Sequence, residues 1–329
     1  MNPAYVQTVN LLLDIAPVVF QTHRFAMKGG TALNLFVQDL PRLSVDIDVV
    51  FIDHKLSRES ALEEISQEVN RIDSAIVQMG YQSKTRKMHS GDEVKIIISS
   101  PNAEVKIEVN FVFRGTVLPV QILSLSTKTQ ELFSKNIQLP ILSPSELYGS
   151  KLVAAMDRQH PRDIFDVKKM YESHGLTSEI VDCFVAYLVG HNRPVHEVLF
   201  STPQPMEETF KNEFKGMVSA PISIEVLNNT RTKLMAELPR ALTQNQRNFL
   251  LSLVQTTPDW TLLPFKHLHE MPAIQWKLQN LKNLKSKNVQ KFQLQHDELE
   301  RQFQKIPLRV GVFIPLLTYQ QQTQCQRRA

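Results

Sequence analysis

The chain has 329 residues, 42% of them hydrophobic and 21% charged, with ten glycines and eighteen prolines. That composition excludes long disorder, a coiled-coil rod and collagen-like or low-complexity architecture. Two cysteines, Cys183 and Cys325, stand far apart, so neither a disulfide framework nor a cysteine-held zinc is expected, and a reducing, cytoplasmic setting fits. A net charge of +4 permits a nucleic-acid partner without demanding one. No apolar run reaches the ~18–20 residues of a bilayer span, so no membrane role is expected, and the first residues lack the basic start and cleavage site of a secretion signal. At roughly 100–200 residues per domain, the length predicts about two domains.

In chain order, residues 5–20 carry an apolar stripe (Val6, Val9, Leu12, Leu13, Ala16, Val19, Phe20) that predicts an amphipathic helix. A short strand at 25–27 precedes Gly29-Gly30 and the helix-like TALNLF, and 44–51 (SVDIDVVF) reads as a buried strand. A second amphipathic helix is predicted over 60–79, with Ser60 and Glu63 as capping box and Gly80 as its stop. VKIIIS (94–99) and EVKIEVNF (104–111) predict an antiparallel pair across Pro101-Asn102. From about residue 126 the pattern turns mostly helical. Ser143-Pro144-Ser145-Glu146 is a strong helix start, and helices are predicted over 163–173, 177–189, 206–215, 222–236 and 243–254. A basic helix follows near 274–293, with Lys277, Lys282, Lys285, Lys287 and Lys291 on a face that is either solvated or an RNA-backbone contact. Trp260 and Trp276 read as packing residues, with no aromatic interleaving of a base-stacking kind. The expected organisation is an α/β (α+β) protein: a mixed-sheet lobe over 1–125, a mostly helical lobe over 126–305 that completes an active cleft, and an atypical tail over 306–329.

Chemistry concentrates in GGTALNLFVQDLPRLSVDID (29–48). Alternation along a strand puts Asp46 and Asp48 on one face and Val45, Ile47 and Val49 on the other. Two carboxylates sharing a face repel unless a cation sits between them, and oxygen-only ligands beside substrate phosphates suit Mg²⁺. Gly29-Gly30-Thr31 opens a helix, whose first N–H groups form a phosphate cradle. In VKIEVNF, Glu108 alternates onto a polar face; beside the Asp46 strand it makes a third carboxylate, enough for two metals and a phosphoryl or nucleotidyl transfer. A bare Asp-x-Asp is usually a solvated strand edge, and this setting argues for a site instead.

The second signal is KLVAAMDRQHPRDIFDVKKM (151–170). Lys151 and Arg158 lie two turns apart on one helical face and are read as countering triphosphate charge. Lys151 is expected to be exposed, so that its removal leaves the fold intact. Asp163 favours a helix N-terminus, and His160 reads as a turn residue rather than a metal ligand. Arg42 and Ser44, flanking the carboxylate strand, and Lys28, directly before Gly29, are further phosphate candidates.

With these residues the chain resembles the AbiEii-type nucleotidyltransferase toxins of the DNA polymerase β-like nucleotidyltransferase superfamily. The pattern is Lys28-Gly29-Gly30-Thr31-Ala32-Leu33, Arg42-x-Ser44-x-Asp46-x-Asp48, Glu108, Lys151, Arg158 and Arg162-Asp163-x-x-Asp166, with IEVNFVFRGTV, LVGHNRPVHEVLF and AIQWKLQNLKNL also similar. The likeness spans roughly residues 20–300. It departs from the superfamily in having Glu where an Asp is common at 108, and a longer gap from Gly30 to Asp46. The resemblance implies a bacterial toxin that transfers a nucleoside monophosphate from an NTP to an RNA acceptor. Relatives of the MenT group modify tRNA. It further implies an AbiEi-like winged-helix antitoxin, metal held by Asp46 and Asp48, triphosphate contact by Lys151, and Asp163 as a catalytic or metal-linked acid. Two alternatives stay open at this point: a protein or small-molecule acceptor, which labelling of a polypeptide band selects, and a non-catalytic NTP-binding protein, which binds without product.

Overall fold

A computed structural model describes residues 2–87 and 93–307. Most of the expected tail, and Cys325 within it, lies outside the described residues. Helix α1 (Pro3–Val19) buries the predicted stripe, and β1 (Phe25–Lys28) leads into α2 (Gly29–Ala32), which widens into a π-helical turn over Leu33–Val37. Then come β2 (Asp46–Phe51), α3 (Arg58–Gln78), β3 (Gln82–Lys87), β4 (Glu93–Ser100), β5 (Ala103–Asn110), β6 (Gln121–Ser124), α4 (Thr127–Phe133) and β7 (Gln138–Ile141). The strands form one seven-stranded sheet in the order β3-β4-β5-β2-β1-β7-β6. β2 pairs parallel with β5 and β1 with β7; the other neighbours are antiparallel. The fold is therefore mixed α/β, as expected.

Two boundaries differ from the sequence reading. The α3 cap is Ser57, whose hydroxyl accepts from the Ser60 N–H at 3.1 Å, not Ser60. The sheet does not end near 125: β7 inserts beside β1, with Met27 opposite Ile141. Four-residue strands carry too little periodicity to separate from loop. The long polar strand β3 (QSKTRK) is likewise silent in hydropathy because it is an edge strand, where lysine and arginine blunt further pairing.

Beyond the sheet lie α5 (Pro144–Asp157), α6 (Pro161–Ser173), α7 (Ser178–Gly190), α8 (Val195–Leu199), α9 (Glu207–Thr209), α10 (Ile224–Ala241), α11 (Gln244–Val254), α12 (Pro272–Lys287) and α13 (Val289–Lys305). The basic segment is two helices rather than one. Asn288 breaks it at φ −152°, ψ 80°, and its side chain accepts from the Lys291 N–H at 2.8 Å, capping α13. α5 starts where expected, with Ser143 at the N-cap position and Pro144 first in the helix, but the side chains there act differently. Ser143 makes no side-chain cap, and Glu146 instead turns inward, where it accepts from the Val117 and Leu118 N–H groups and the Tyr187 hydroxyl. α1 packs on β5 and β2, covering Ile47, Val49, Val105, Ile107 and Val109, all buried. On the other face of the same strands stand Asp46, Asp48, Glu108 and Asn110, less buried than those neighbours and lining a cleft. The sheet thus buries its apolar alternate residues under a helix and presents its acidic ones to the cleft.

Candidate active site

β2 sits between β5 and β1, with Asp48 in register opposite Glu108 on one side and Lys28 on the other. Gly29 follows Lys28 at φ +74°, and a Cβ there would fall 2.1 Å from Asp48 Oδ2. A Cβ on Gly30 would fall 2.8 Å from Arg42 Nη2 and 3.0 Å from Ser44 Oγ. The glycine pair is therefore required by close approach on two sides, and at Gly29 by backbone conformation as well. The Thr31 hydroxyl donates to the Asp46 carbonyl and ties the helix start to the head of β2.

Lys28, Gly29, Gly30, Arg42, Ser44, Asp46, Asp48, Glu108, Lys151, Arg158 and Asp163 all line one cleft of about 850 Å³. Thr31 lies behind it, buried. Burial pushes the Asp46 carboxyl up, and the charges of Asp48 and Glu108 push it further, against Arg162 and Lys106. Burial likewise raises Asp48; Lys28 draws it partly back and Glu108 adds to the rise. Both carboxyls are raised chiefly because burial penalises their charge, a penalty that a bound cation would relieve. Two carboxylates next to a backbone cradle fit one Mg²⁺ that completes its shell from substrate phosphate and water. Glu108 is otherwise engaged, its Oε1 2.7 Å from Lys95 Nζ across the β4–β5 pair. Among the described residues no three His, Cys, Asp or Glu side chains are arranged to hold a metal ion.

The second cluster differs from its sequence reading. Lys151 is buried, not exposed: its Nζ lies 2.8 Å from Asp163 Oδ1 and 3.1 Å from Asp166 Oδ2. Arg158 reaches Asp163 through Nε at 2.6 Å while most of its side chain stays exposed. Arg42, 2% exposed, forms a fork on Asp166 with Nε at 2.7 Å and Nη2 at 2.6 Å, and donates through Nη1 to the Leu43 carbonyl. Asn34 joins them, donating to Asp166 Oδ1 at 3.1 Å and to the Gly30 carbonyl at 2.9 Å. Burial pushes the Asp163 carboxyl up, but Lys151 and Arg158 outweigh it and hold the group well below the ordinary carboxylate range. Asp166 is held low in the same way by Arg42 and Lys151. Asp163 is thus placed as an anchor for two cations, which hold its carboxyl low. The turn that brings α5 and α6 together places Gln159 at φ +50°, where it donates to the Thr202 carbonyl and accepts from the Gln204 N–H. His160 caps α6 by accepting from the Arg162 N–H, the turn role expected of it.

Several cleft residues have no site role of their own in the sequence reading, Arg162, Trp276 and Asn280 among them. Arg162 lines the cleft, and its charge acts on Asp46. Trp276, read as packing, is 59% exposed and also lines the cleft. A signal for it was present: at 100° per residue it lies opposite the Ile274, Leu278 and Leu281 stripe of α12. Trp260 does pack, against Phe249 at 5.6 Å.

The family model of the nucleotidyl transferase AbiEii toxin, of a type IV toxin–antitoxin system, matches residues 10–280. A comparison with curated proteins returns no match. Among solved structures the chain is similar to MenT4, a nucleotidyltransferase toxin from Mycobacterium tuberculosis H37Rv, at 17% identity and a TM-score of 0.57, covering 84% of this chain and 93% of that one. That likeness carries the fold, and the family match carries the class of chemistry. The chain belongs to the AbiEii nucleotidyltransferase toxin family, and is with it a nucleotidyltransferase.

Proposed function

We propose that the protein transfers a nucleoside monophosphate from an NTP to the end of an RNA acceptor, tRNA being the substrate class, and thereby blocks translation. The observation that carries this reading is the Asp46–Asp48 pair on one strand face, Asp48 close against Gly29, in a cleft shared with Lys28, Arg158 and Arg162. Asp46 and Asp48 would hold Mg²⁺, which supplies charge neutralisation at the transferring phosphoryl group. Glu108 joins them only by parting from Lys95. Lys28, Arg158 and Arg162 counter the triphosphate and its transition state, with Arg158 already held by Asp163. Lys151 lines the same cleft but shares its charge with two buried carboxylates, so its first contribution is to hold α5 and α6 in place. The exposed lysines of α12 and α13, Lys282, Lys285, Lys287 and Lys291, offer an RNA backbone a sequence-independent contact. Among the described residues no helix is long and apolar enough to cross a membrane, and the reading places the enzyme in the cytoplasm with an antitoxin of the AbiEi-like winged-helix kind.

The test incubates purified protein with each labelled NTP, Mg²⁺ and total tRNA. Label is expected on RNA with at least one nucleotide and not with Asp48→Asn. No transfer with any of the four nucleotides overturns the reading.

A further inference from the structure

The cleft has a second wall whose chemistry is not that of phosphate or metal. Ala273, Trp276, Lys277 and Asn280 all line it, and their spacing of i, i+3, i+4 and i+7 makes them one face of α12. That face is held rigidly. Lys277, buried, donates through Nζ to the carbonyls of His191 at 2.9 Å and Arg193 at 2.5 Å, fastening α12 to the end of α7. Gly190 ends α7, and a Cβ there would fall 2.8 Å from Phe113 Cε2 and 3.4 Å from Ala273 Cβ, so its absence lets the Phe113 ring and α12 close together. Phe113 in turn stacks on Tyr187 at 4.4 Å and 15°. On this fixed wall the Trp276 indole stays 59% exposed, with the side-chain amide of Asn280 one helical turn away and also exposed.

A large aromatic left open in a polar, cation-lined cleft is an anomaly as packing and a platform as a binding group. An indole face receives any flat π-system, and an amide supplies the paired donor and acceptor that read a base edge. Resting on the function proposed above, we infer that Trp276 and Asn280 form a nucleobase subsite: the indole stacks on the base while Asn280 hydrogen-bonds its edge, and the phosphates run toward Arg158, Lys28 and the carboxylate pair. The base belongs either to the incoming NTP or to the acceptor end of the RNA.

Trp260 packs on Phe249 and His269, so ligand-dependent quenching of indole fluorescence reports on Trp276. Wild type, Trp276→Phe and Trp276→Ala are titrated with each NTP plus Mg²⁺, with a short single-stranded RNA, and with inorganic tripolyphosphate as a base-free probe. Quenching is expected with a base-containing ligand and not with tripolyphosphate. Both variants lose the signal, so their affinity is read by calorimetry: Trp276→Phe binds within about threefold of wild type, and Trp276→Ala roughly tenfold or more weakly. Quenching by NTP assigns the subsite to the incoming nucleotide; quenching by RNA alone assigns it to the acceptor. If ligands bind in an Asp48-dependent way and Trp276→Ala binds them as tightly as wild type, the subsite is refuted and the nucleotidyltransferase site stands. If wild type binds none of the ligands, both readings fall.

Discussion

Two acidic pairs, one lining the cleft and one reaching it only through Asp163, have opposite fates. Asp46 and Asp48 lie two apart on a strand, their carboxyls pushed up chiefly by burial, with Asp48 and Glu108 adding to the rise at Asp46 and Glu108 to that at Asp48, and with the Gly29 backbone beside Asp48 where a side chain would otherwise stand. Asp163 and Asp166 lie three apart on a helix, more deeply buried, yet held low by Lys151, Arg158 and Arg42. Residue type is the same; the partners differ. In the function proposed above the first pair keeps its charge for a ligand, and the second uses its charge to join three segments of chain. A carboxylate is thus identified as site or scaffold by how completely its charge is matched.

The contrast is tested most severely by removing Lys151. Lys151→Ala leaves Asp163 and Asp166 buried without their shared cation, and breaking such a pair costs about 3–5 kcal/mol. That amounts to a melting temperature lower by on the order of 10 °C in a chain of this size. A melt within 2 °C of wild type returns Lys151 to the surface role its sequence suggests. The two pairs also predict opposite pH limbs. Asp163 and Asp166, held low, contribute stability that is present above the ordinary carboxylate pKa and lost as pH falls through their folded values. Asp46 and Asp48, held high, contribute stability that is present below pH ~3.8 and lost as pH rises through their folded values. Asp166→Asn should therefore flatten the acid limb of a stability–pH curve, and Asp48→Asn the limb above it. Equal effects on both limbs break the comparison.

Much of this was legible locally. Gly29-Gly30, Asp46-Ile47-Asp48 and Glu108 declare themselves because strand alternation and a glycine turn act within a few residues. The matching of charge was not legible, because Arg42 meets Asp166 and Lys151 meets Asp163 only after α5 and α6 fold against the π-helical turn. Lys151 and Arg158 were picked out by charge, while their partners depend on a tight turn at Gln159 that no periodicity reports. Trp276 reads as a packing residue because aromatic residues usually pack. Its phase against the α12 stripe argued otherwise.

A smaller effect sharpens the comparison at its boundary. Lys95→Met removes the cation that holds Glu108, a pair whose side chains are both about 30% exposed. Its stability cost should stay under about 1 kcal/mol, while Mg²⁺ affinity, measured by calorimetry without nucleotide, should rise a few-fold as Glu108 becomes available. Unchanged affinity means that Glu108 stays apart from the metal site.

The central claim, that Asp46 and Asp48 are charged for a ligand rather than for the fold, is tested most directly by thermal melts of wild type and Asp48→Asn with and without Mg²⁺ plus NTP. Without ligand the variant should melt at or slightly above wild type, because a carboxylate whose charge is penalised chiefly by burial has gone. With ligand at a hundred times Kd, wild type should gain about 2.7 kcal/mol by mass action and the variant nothing. A variant that melts well below wild type, and that Mg²⁺ and NTP still stabilise, would contradict the account.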